Sequence, residues 1–330
     1  MGRSDHARRE RKSRHADRPP IRRLATDRDR RRNGRSAGDG DASEFAGEDL
    51  VIGYPASEEP VVDGESIRVA PGEVTALVGP NGSGKSTLLK GLATQLSLDD
   101  GTVLLDGRDV HALGTKELAR KLGLLSQENV APDSLAVEEL VGHGRYPHRD
   151  FFESLTDADR AAIDRAIDLA GIDHLREREV GSLSGGQKQL VWIAMVLAQE
   201  TDVLLLDEPT TFLDLHHQLE VMEIVETLRD ESEVTVVVVL HDIDQAARYA
   251  DHMVALTDGS IYATGSPEAV VTEDLLADVF GIEARVAPGE YGPEITPIRP
   301  LADGSDDPNG SDGSEPGTVA GSASRSDSDA

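Results

Sequence analysis

Cysteine is absent from all 330 residues, which excludes a disulfide scaffold, thiol chemistry and cysteine-ligated metal. Aromatic residues are scarce at 3 %, so a core has to be built from aliphatic side chains, and the 38 % hydrophobic content is enough for one. No run approaches the roughly 20 consecutive apolar residues that a membrane-spanning helix needs, and the arginine-rich start lacks the apolar stretch of a secretory signal. Such a chain is expected to be made and kept in the cytoplasm. Its length permits one large domain or two small ones.

What the sequence has in excess is negative charge: 62 Asp+Glu against 33 Lys+Arg, of which only six are lysine, for a net of −29. The charge is unevenly spread. Residues 1–36 carry 14 Lys+Arg against 5 Asp+Glu, whereas residues 37–301 carry a net of −32 and 302–330 a net of −6. The acidity therefore belongs to the part expected to fold. It reads as a surface adapted to high salt, as in a halophile, where repulsion is screened within about 3 Å at 1 M ionic strength. An ordinarily acidic protein is the plainer alternative.

Residues 1–45 mix Arg, Asp, Ser and Gly with almost no large apolar side chain and are expected to be a disordered arm. Arg8-Arg9, Arg11-Lys12 and Arg30-Arg31-Arg32 have the charge to meet nucleic acid or anionic lipid. A dispensable arm or a start site placed too early is the simpler reading, and no nucleic-acid partner is expected. The segment 302–330, rich in Asp, Ser and Gly, is expected to be a disordered acidic tail.

Between them, 46–301 alternates strands and helices. Val74–Val78, Val203–Leu206 and Val234–Leu240 are short aliphatic runs of the kind buried on both faces of a parallel sheet. Ser86–Gln95 and Asp157–Ala170 read as helices, the second capped by Thr156 and apolar along Ile163, Ala166, Ile167 and Ala170. Met253–Thr257 and Ile261–Thr264, joined by Asp258-Gly259, read as a hairpin. The alternation specifies an α/β fold with a largely parallel sheet.

Gly79-Pro80-Asn81-Gly82-Ser83-Gly84-Lys85-Ser86-Thr87 fits G-x-x-x-x-G-K-[ST] between an expected strand and an expected helix. Glycines there let backbone N–H groups wrap a phosphate, the helix N-terminus adds its positive end, Lys85 reaches the β and γ oxygens, and Ser86 holds Mg²⁺. Fixed dipoles and one lysine at contact distance outweigh screened negative charge farther away. The strand Val203–Leu206 runs into Asp207-Glu208, delivering two carboxylates at the sheet edge where such folds bind ligands. The first suits the Mg²⁺ shell and the second can polarise a water. The third strand ends in His241-Asp242, bringing an imidazole to the same edge as a γ-phosphate sensor.

With these in place, Leu183-Ser184-Gly185-Gly186-Gln187 resembles the signature sequence of the ATP-binding-cassette (ABC) ATPases, and the resemblance covers about 46 to 290. It implies a P-loop NTPase fold with a mostly parallel core sheet, an N-terminal antiparallel β subdomain and an inserted helical subdomain at about 128–190. It further implies that Tyr54 stacks on adenine, that Gln127 in Leu125-Ser126-Gln127 belongs to the Q-loop and the metal shell, that Asp214 belongs to the D-loop, and that His241 is the switch histidine. The same resemblance implies a head-to-tail homodimer in which Ser184, Gly185, Gly186 and Gln187 of one subunit cap the ATP held by the other. Leu190 stands where many members carry arginine.

The interval from Ser86 to Leu183 leaves no room for the long coiled coil of a repair ATPase, and a single cassette is unlike the tandem translation factors. What remains is a transporter motor on the cytoplasmic face of the cell membrane. Its partners are a separate integral-membrane permease dimer and, through it, an extracellular substrate-binding protein. Gly144-Arg145-Tyr146-Pro147-His148, Trp192–Thr201 and Thr210–Gln218 resemble stretches of ferric-siderophore importer cassettes. Cobalamin and haem importers share the architecture, and a cassette on a soluble scaffold, as in sulfur mobilisation, is the non-transport alternative. His143, His148, His216 and His217 invite a metal site, but neighbours on a helix face different ways and no carboxylate pair completes it, so none is expected.

Overall fold

The computed structural model describes residues 44–55, 57, 59–150 and 153–301, and the expectations for the arm and the tail lie outside them. The backbone opens with β1 (Phe45–Ile52) and β2 (Val62–Val69), then β3 (Val74–Val78), α1 (Lys85–Leu92), β4 (Leu98–Leu105) and β5 (Arg108–Asp109). Helix α2 (Thr115–Lys121) leads into β6 (Leu122–Leu125). Every named element from there to β7 is helical: α3 (Val137–Gly142), a 3-10 segment His143–His148, α4 (Asp157–Leu169), two 3-10 turns and α5 (Gly185–Leu197). Then follow β7 (Val203–Asp207), α6 (Leu215–Ser232), β8 (Thr235–Val239) and α7 (Ile243–Tyr249). The chain closes with β9 (His252–Thr257), β10 (Ser260–Gly265), α8 (Pro267–Val270), α9 (Glu273–Asp278), β11 (Ile282–Gly289) and β12 (Gly292–Pro300).

Six strands form the central sheet in the order β10-β9-β3-β8-β7-β6, parallel throughout except for the β9–β10 hairpin. Strands β3, β7 and β8 are buried at every position, as strands made almost wholly of aliphatic residues require, with Thr75, Asp207 and Thr235 the polar exceptions. Alternate residues go to opposite faces. Ala76, Leu204, Leu206, Val236 and Val238 pack on one side with the apolar faces of α3 to α7, while Leu77, Val203, Leu205, Val237 and Val239 pack on the other with Leu88, Leu89 and Leu92 of α1. The antiparallel sheet β2-β1-β4-β5 closes that second side through Phe45, Leu50, Ile52 and Val103.

Local signals mostly hold. Thr156 caps α4 by accepting from the Asp159 N–H, and Ile163, Ala166 and Ile167 are buried. The hairpin turn places Asp258 at φ 47° and Gly259 at φ 80°, the left-handed pair that a two-residue connection needs. Helix α1 stops at Leu92 rather than Gln95, because Thr94 takes φ 58° while the Gln95 and Leu96 N–H groups fold back onto the Lys90 carbonyl. Among the described residues no helix is long and apolar enough to cross a membrane.

Candidate active site

Parallel pairing of β3, β8, β7 and β6 brings their C-terminal ends side by side, and the sequence places a polar group just beyond each. Val78 leads into the phosphate-binding loop, Val239 into Leu240-His241, Leu206 into Asp207-Glu208, and Leu125 into Ser126-Gln127. Strand register, with Leu125 opposite Leu206 and Asp207 opposite Val239, sets these four ends in one row.

In the loop, Gly79 has φ 147°, and a Cβ there would stand 2.1 Å from the Leu256 carbonyl oxygen of β9, so only glycine lets the backbone turn this close to the sheet. Gly84, at φ 96°, is the N-cap of α1 and offers no side-chain cap, leaving the first N–H groups of the helix to a ligand. Lys85 is buried and donates from Nζ to the Gly79 and Pro80 carbonyls at 2.9 and 2.8 Å, which folds the ammonium over the loop. Burial pushes its pKa down, and the charges of Glu208 and Asp207 oppose that shift. Asn81 and Gly82 lie exposed on the loop's rim, whereas Ser83 and Thr87 are buried. Tyr54, 42 % exposed, stands over the same helix start with its hydroxyl 3.3 Å from Thr87 Oγ1.

Asp207 is the most enclosed charge at the site, 1 % exposed. Its Oδ1 accepts from Ser86 Oγ at 2.8 Å, while Oδ2 is buried with no hydrogen-bond partner and has only Lys90 Nζ at 4.0 Å. Burial raises its pKa, the Ser86 hydroxyl and the Lys90 charge pull it down, and the Glu208 charge adds to the rise. A dication would satisfy the orphaned oxygen. Ser86, Asp207 and the amide oxygen of Gln127 supply oxygen donors only, the set that suits Mg²⁺. Among the described residues no group of three His, Cys, Asp or Glu side chains could hold a metal by itself.

Glu208 is held at φ 51°, a left-handed conformation that costs a residue with a Cβ roughly 1–2 kcal/mol. Three donors reach its Oε2: Gln127 Nε2 at 2.8 Å, His241 Nε2 at 2.7 Å and Thr211 Oγ1 at 3.2 Å. The carboxylate is thus joined to the groups expected from two neighbouring strand ends. Because the nitrogen of the Gln127 amide faces Glu208, its oxygen is the end left for a metal.

Ser184 caps α5 and forms a reciprocal box with Gln187. A Cβ on Gly186 would meet the His217 ring at 2.5 Å, whereas Gly185 has open space. Asp214 caps α6 and binds His217 Nδ1 at 2.8 Å; its pKa is lowered by the His217 backbone N–H first and by the ring second. Within one chain, then, Ser184 and Gln187 are tied to each other at the start of α5 and Asp214 to His217 at the start of α6, the two meeting where Gly186 lies against the His217 ring. Leu190, the departure from the family pattern, is buried in the helical core beside Val191 and Ala194.

Sequence reasoning missed the direction of Arg145. Its side chain is 6 % exposed and donates to Asp159 Oδ1 at 2.9 Å, Glu200 Oε2 at 2.9 Å and the Ala198 carbonyl at 2.8 Å. Burial works to raise the Asp159 pKa, but hydrogen bonds from Thr156 and Arg145 overcome it and leave the carboxyl at about 2. Tyr146, next in sequence, is 57 % exposed and stacks on His143. The four histidines have different partners: His148 the Gln199 carbonyl, His216 Glu220, His217 Asp214, and His143 Tyr146, while the His216 and His217 rings meet edge-on with centroids 5.5 Å apart.

Comparison with known proteins agrees with this geometry. A family profile described as ABC transporter matches residues 62–211. The ferric enterobactin transport ATP-binding protein FepC of Escherichia coli is 43 % identical over 240 residues, covering 73 % of this chain and 88 % of that protein. The cobalamin import ATP-binding protein BtuD of Halobacterium salinarum is 41 % identical over 229 residues, covering 69 % of this chain and 56 % of that protein. Among solved structures, the dimeric bacterial ABC transporter cassette MJ0796 superposes with a TM-score of 0.61 at 27 % identity, over 68 % of this chain and 98 % of that one. Identity of this extent over most of a relative's length, on a fold that sets the phosphate loop beside Asp207 and Glu208, makes the chain a member of the ABC transporter family, one of its ATP-binding, ATP-hydrolysing proteins.

Proposed function

We propose that the chain is the ATP-driven motor of a binding-protein-dependent importer of ferric siderophores. The observation that carries the cargo is its 43 % identity to a ferric enterobactin transport protein, together with the Gly144–His148 segment. The folded domain spans 46–301, acts as a homodimer on the cytoplasmic face of the membrane, and drives a permease dimer that receives its cargo from an extracellular binding protein. The region after Gln127, including Glu128 to His148, passes closure to the permease.

In each site the adenine lies on Tyr54 and the phosphates on the N–H groups of Gly79 and of Asn81–Thr87, with Lys85 on the β and γ oxygens. Ser86, Gln127 and Asp207 would hold Mg²⁺, which would neutralise phosphate charge. Glu208 accepts the proton of the attacking water, and His241 carries charge that develops on the γ-phosphate. Ser184 to Gln187 of the second subunit close over the nucleotide, with Asp214 beside them. Hydrolysis removes what holds the two subunits together and reopens the dimer.

Uptake tests the reading. A deletion strain should lose import of radiolabelled ferric siderophore and keep import of radiolabelled cobalamin, and the protein should co-purify with a polytopic membrane partner. Loss of cobalamin import with intact ferric uptake would reassign the cargo, while a soluble scaffold as sole partner would overturn the transport role.

A further inference from the structure

We propose that Thr211 is a positioning residue for Glu208: it fixes oxygen Oε2 of the carboxylate and so assigns proton acceptance to Oε1. The inference rests on the reading of Glu208 as the general base. The turn Glu208-Pro209-Thr210-Thr211 is held on several sides. The Thr211 N–H donates to the Glu208 carbonyl at 3.2 Å, closing the turn that carries Glu208 at φ 51°. From α5, Gln189 Nε2 donates to the Pro209 carbonyl at 3.0 Å. The Thr210 hydroxyl, itself buried, donates to Gln245 Oε1 at 3.1 Å, and the Gln245 N–H is fixed by the Asp242 cap of α7 at 3.0 Å.

Inside that frame the Thr211 hydroxyl points back at Glu208 Oε2, 3.2 Å away. The same oxygen takes Gln127 Nε2 and His241 Nε2. A carboxylate oxygen offers about two lone-pair directions, so three donors fill Oε2 and leave basicity to the other oxygen. The three donors differ in one respect. Gln127 and His241 stand at the ends of other strands and have assigned work at the metal and the γ-phosphate, so catalysis draws them off the carboxylate. Thr211 belongs to the same turn as Glu208 and stays with it through the cycle. Without it, a side chain on a strained backbone is free to change rotamer, and a base displaced by a fraction of an ångström loses rate while nucleotide binding is untouched.

The test is steady-state Mg-ATP hydrolysis by the full-length protein, with binding of a fluorescent ATP analogue measured alongside, for the wild type and for Thr211→Val, Thr211→Ser, Glu208→Gln and the Val/Gln double variant. Valine keeps the shape and removes the hydroxyl. Thr211→Val should lower kcat about tenfold with KM and analogue binding within twofold of wild type, as loss of one hydrogen bond to a charged group predicts. Thr211→Ser should restore most of that loss, and Thr211→Val should add nothing once Glu208 is glutamine. A Thr211→Val enzyme with wild-type kcat, a serine variant as slow as the valine variant, or losses that multiply in the double variant would overturn the role of Thr211. Wild-type turnover by Glu208→Gln would instead remove the reading on which it rests.

Discussion

Replacing Arg145 by methionine keeps the aliphatic stem and removes a guanidinium that three oxygens share. The Asp159 side chain is only 5 % exposed and would be left charged beside an apolar group, and the Ala198 carbonyl would lose its donor. Glu200 suffers less, being 42 % exposed and still paired with Arg165. Breaking a buried pair from one side costs about 3–5 kcal/mol; because Thr156 still donates its hydroxyl and N–H to Asp159, the lower end, about 3 kcal/mol, is expected. In a domain of this size that amounts to a fall in Tm of about 6–12 °C, measured by calorimetry or circular dichroism. The pH dependence carries the same signature. The folded carboxyl at about 2 lies below its ordinary 3.8, so the folded state binds its proton less readily than the unfolded chain, and the stabilisation is whole above the ordinary value and drains as pH falls toward the folded one. Arg145→Met should flatten that acid limb. A Tm within about 2 °C of wild type would refute the reasoning and make Arg145 a surface contact rather than an internal tie.

Tyr146 gives the complementary expectation. It lines a surface cavity of about 530 Å³ with Glu138, Glu139, His143, Arg149 and Arg176, so Tyr146→Ala should leave Tm and the basal ATPase near wild type while lowering ferric-siderophore uptake in cells. Loss of basal hydrolysis in that variant would contradict an outward, permease-facing role. The net of −32 on residues 37–301 predicts a Tm that rises between about 0.1 and 1 M KCl, as the screening length shrinks from about 10 to about 3 Å. A flat or falling melting curve would remove the salt-adaptation reading.

The strands that carry the site were legible because they are chemically uniform. Val74–Val78, broken only by Thr75, and Val203–Leu206 are aliphatic runs, and each is followed at once by a group of different chemistry, so strand, edge and ligand class read together. Strand β4, with its exposed Asp99 and Asp100, carries no such run and pairs with β1, distant in sequence, while the largely exposed strands β11 and β12 carry none either and pair with each other. Tertiary direction was the harder part. Gly144–His148 was visible as a segment, yet nothing in its order says that Arg145 turns inward and Tyr146 outward. Thr211 and Gln189 escaped for a related reason: Thr211 works through one hydroxyl bond inside its own turn and Gln189 through one bond from α5 to that turn, and neither residue type announces such a role in the sequence.

The claim on which the account turns is that Glu208 is the base of a site assembled from four strand ends, and single-turnover hydrolysis by Glu208→Gln tests it most directly. The variant should bind Mg-ATP as tightly as wild type, cleave it at least about a hundredfold more slowly, and accumulate as a nucleotide-closed dimer in size-exclusion chromatography. Cleavage at the wild-type rate, with no dimer accumulating, would contradict it.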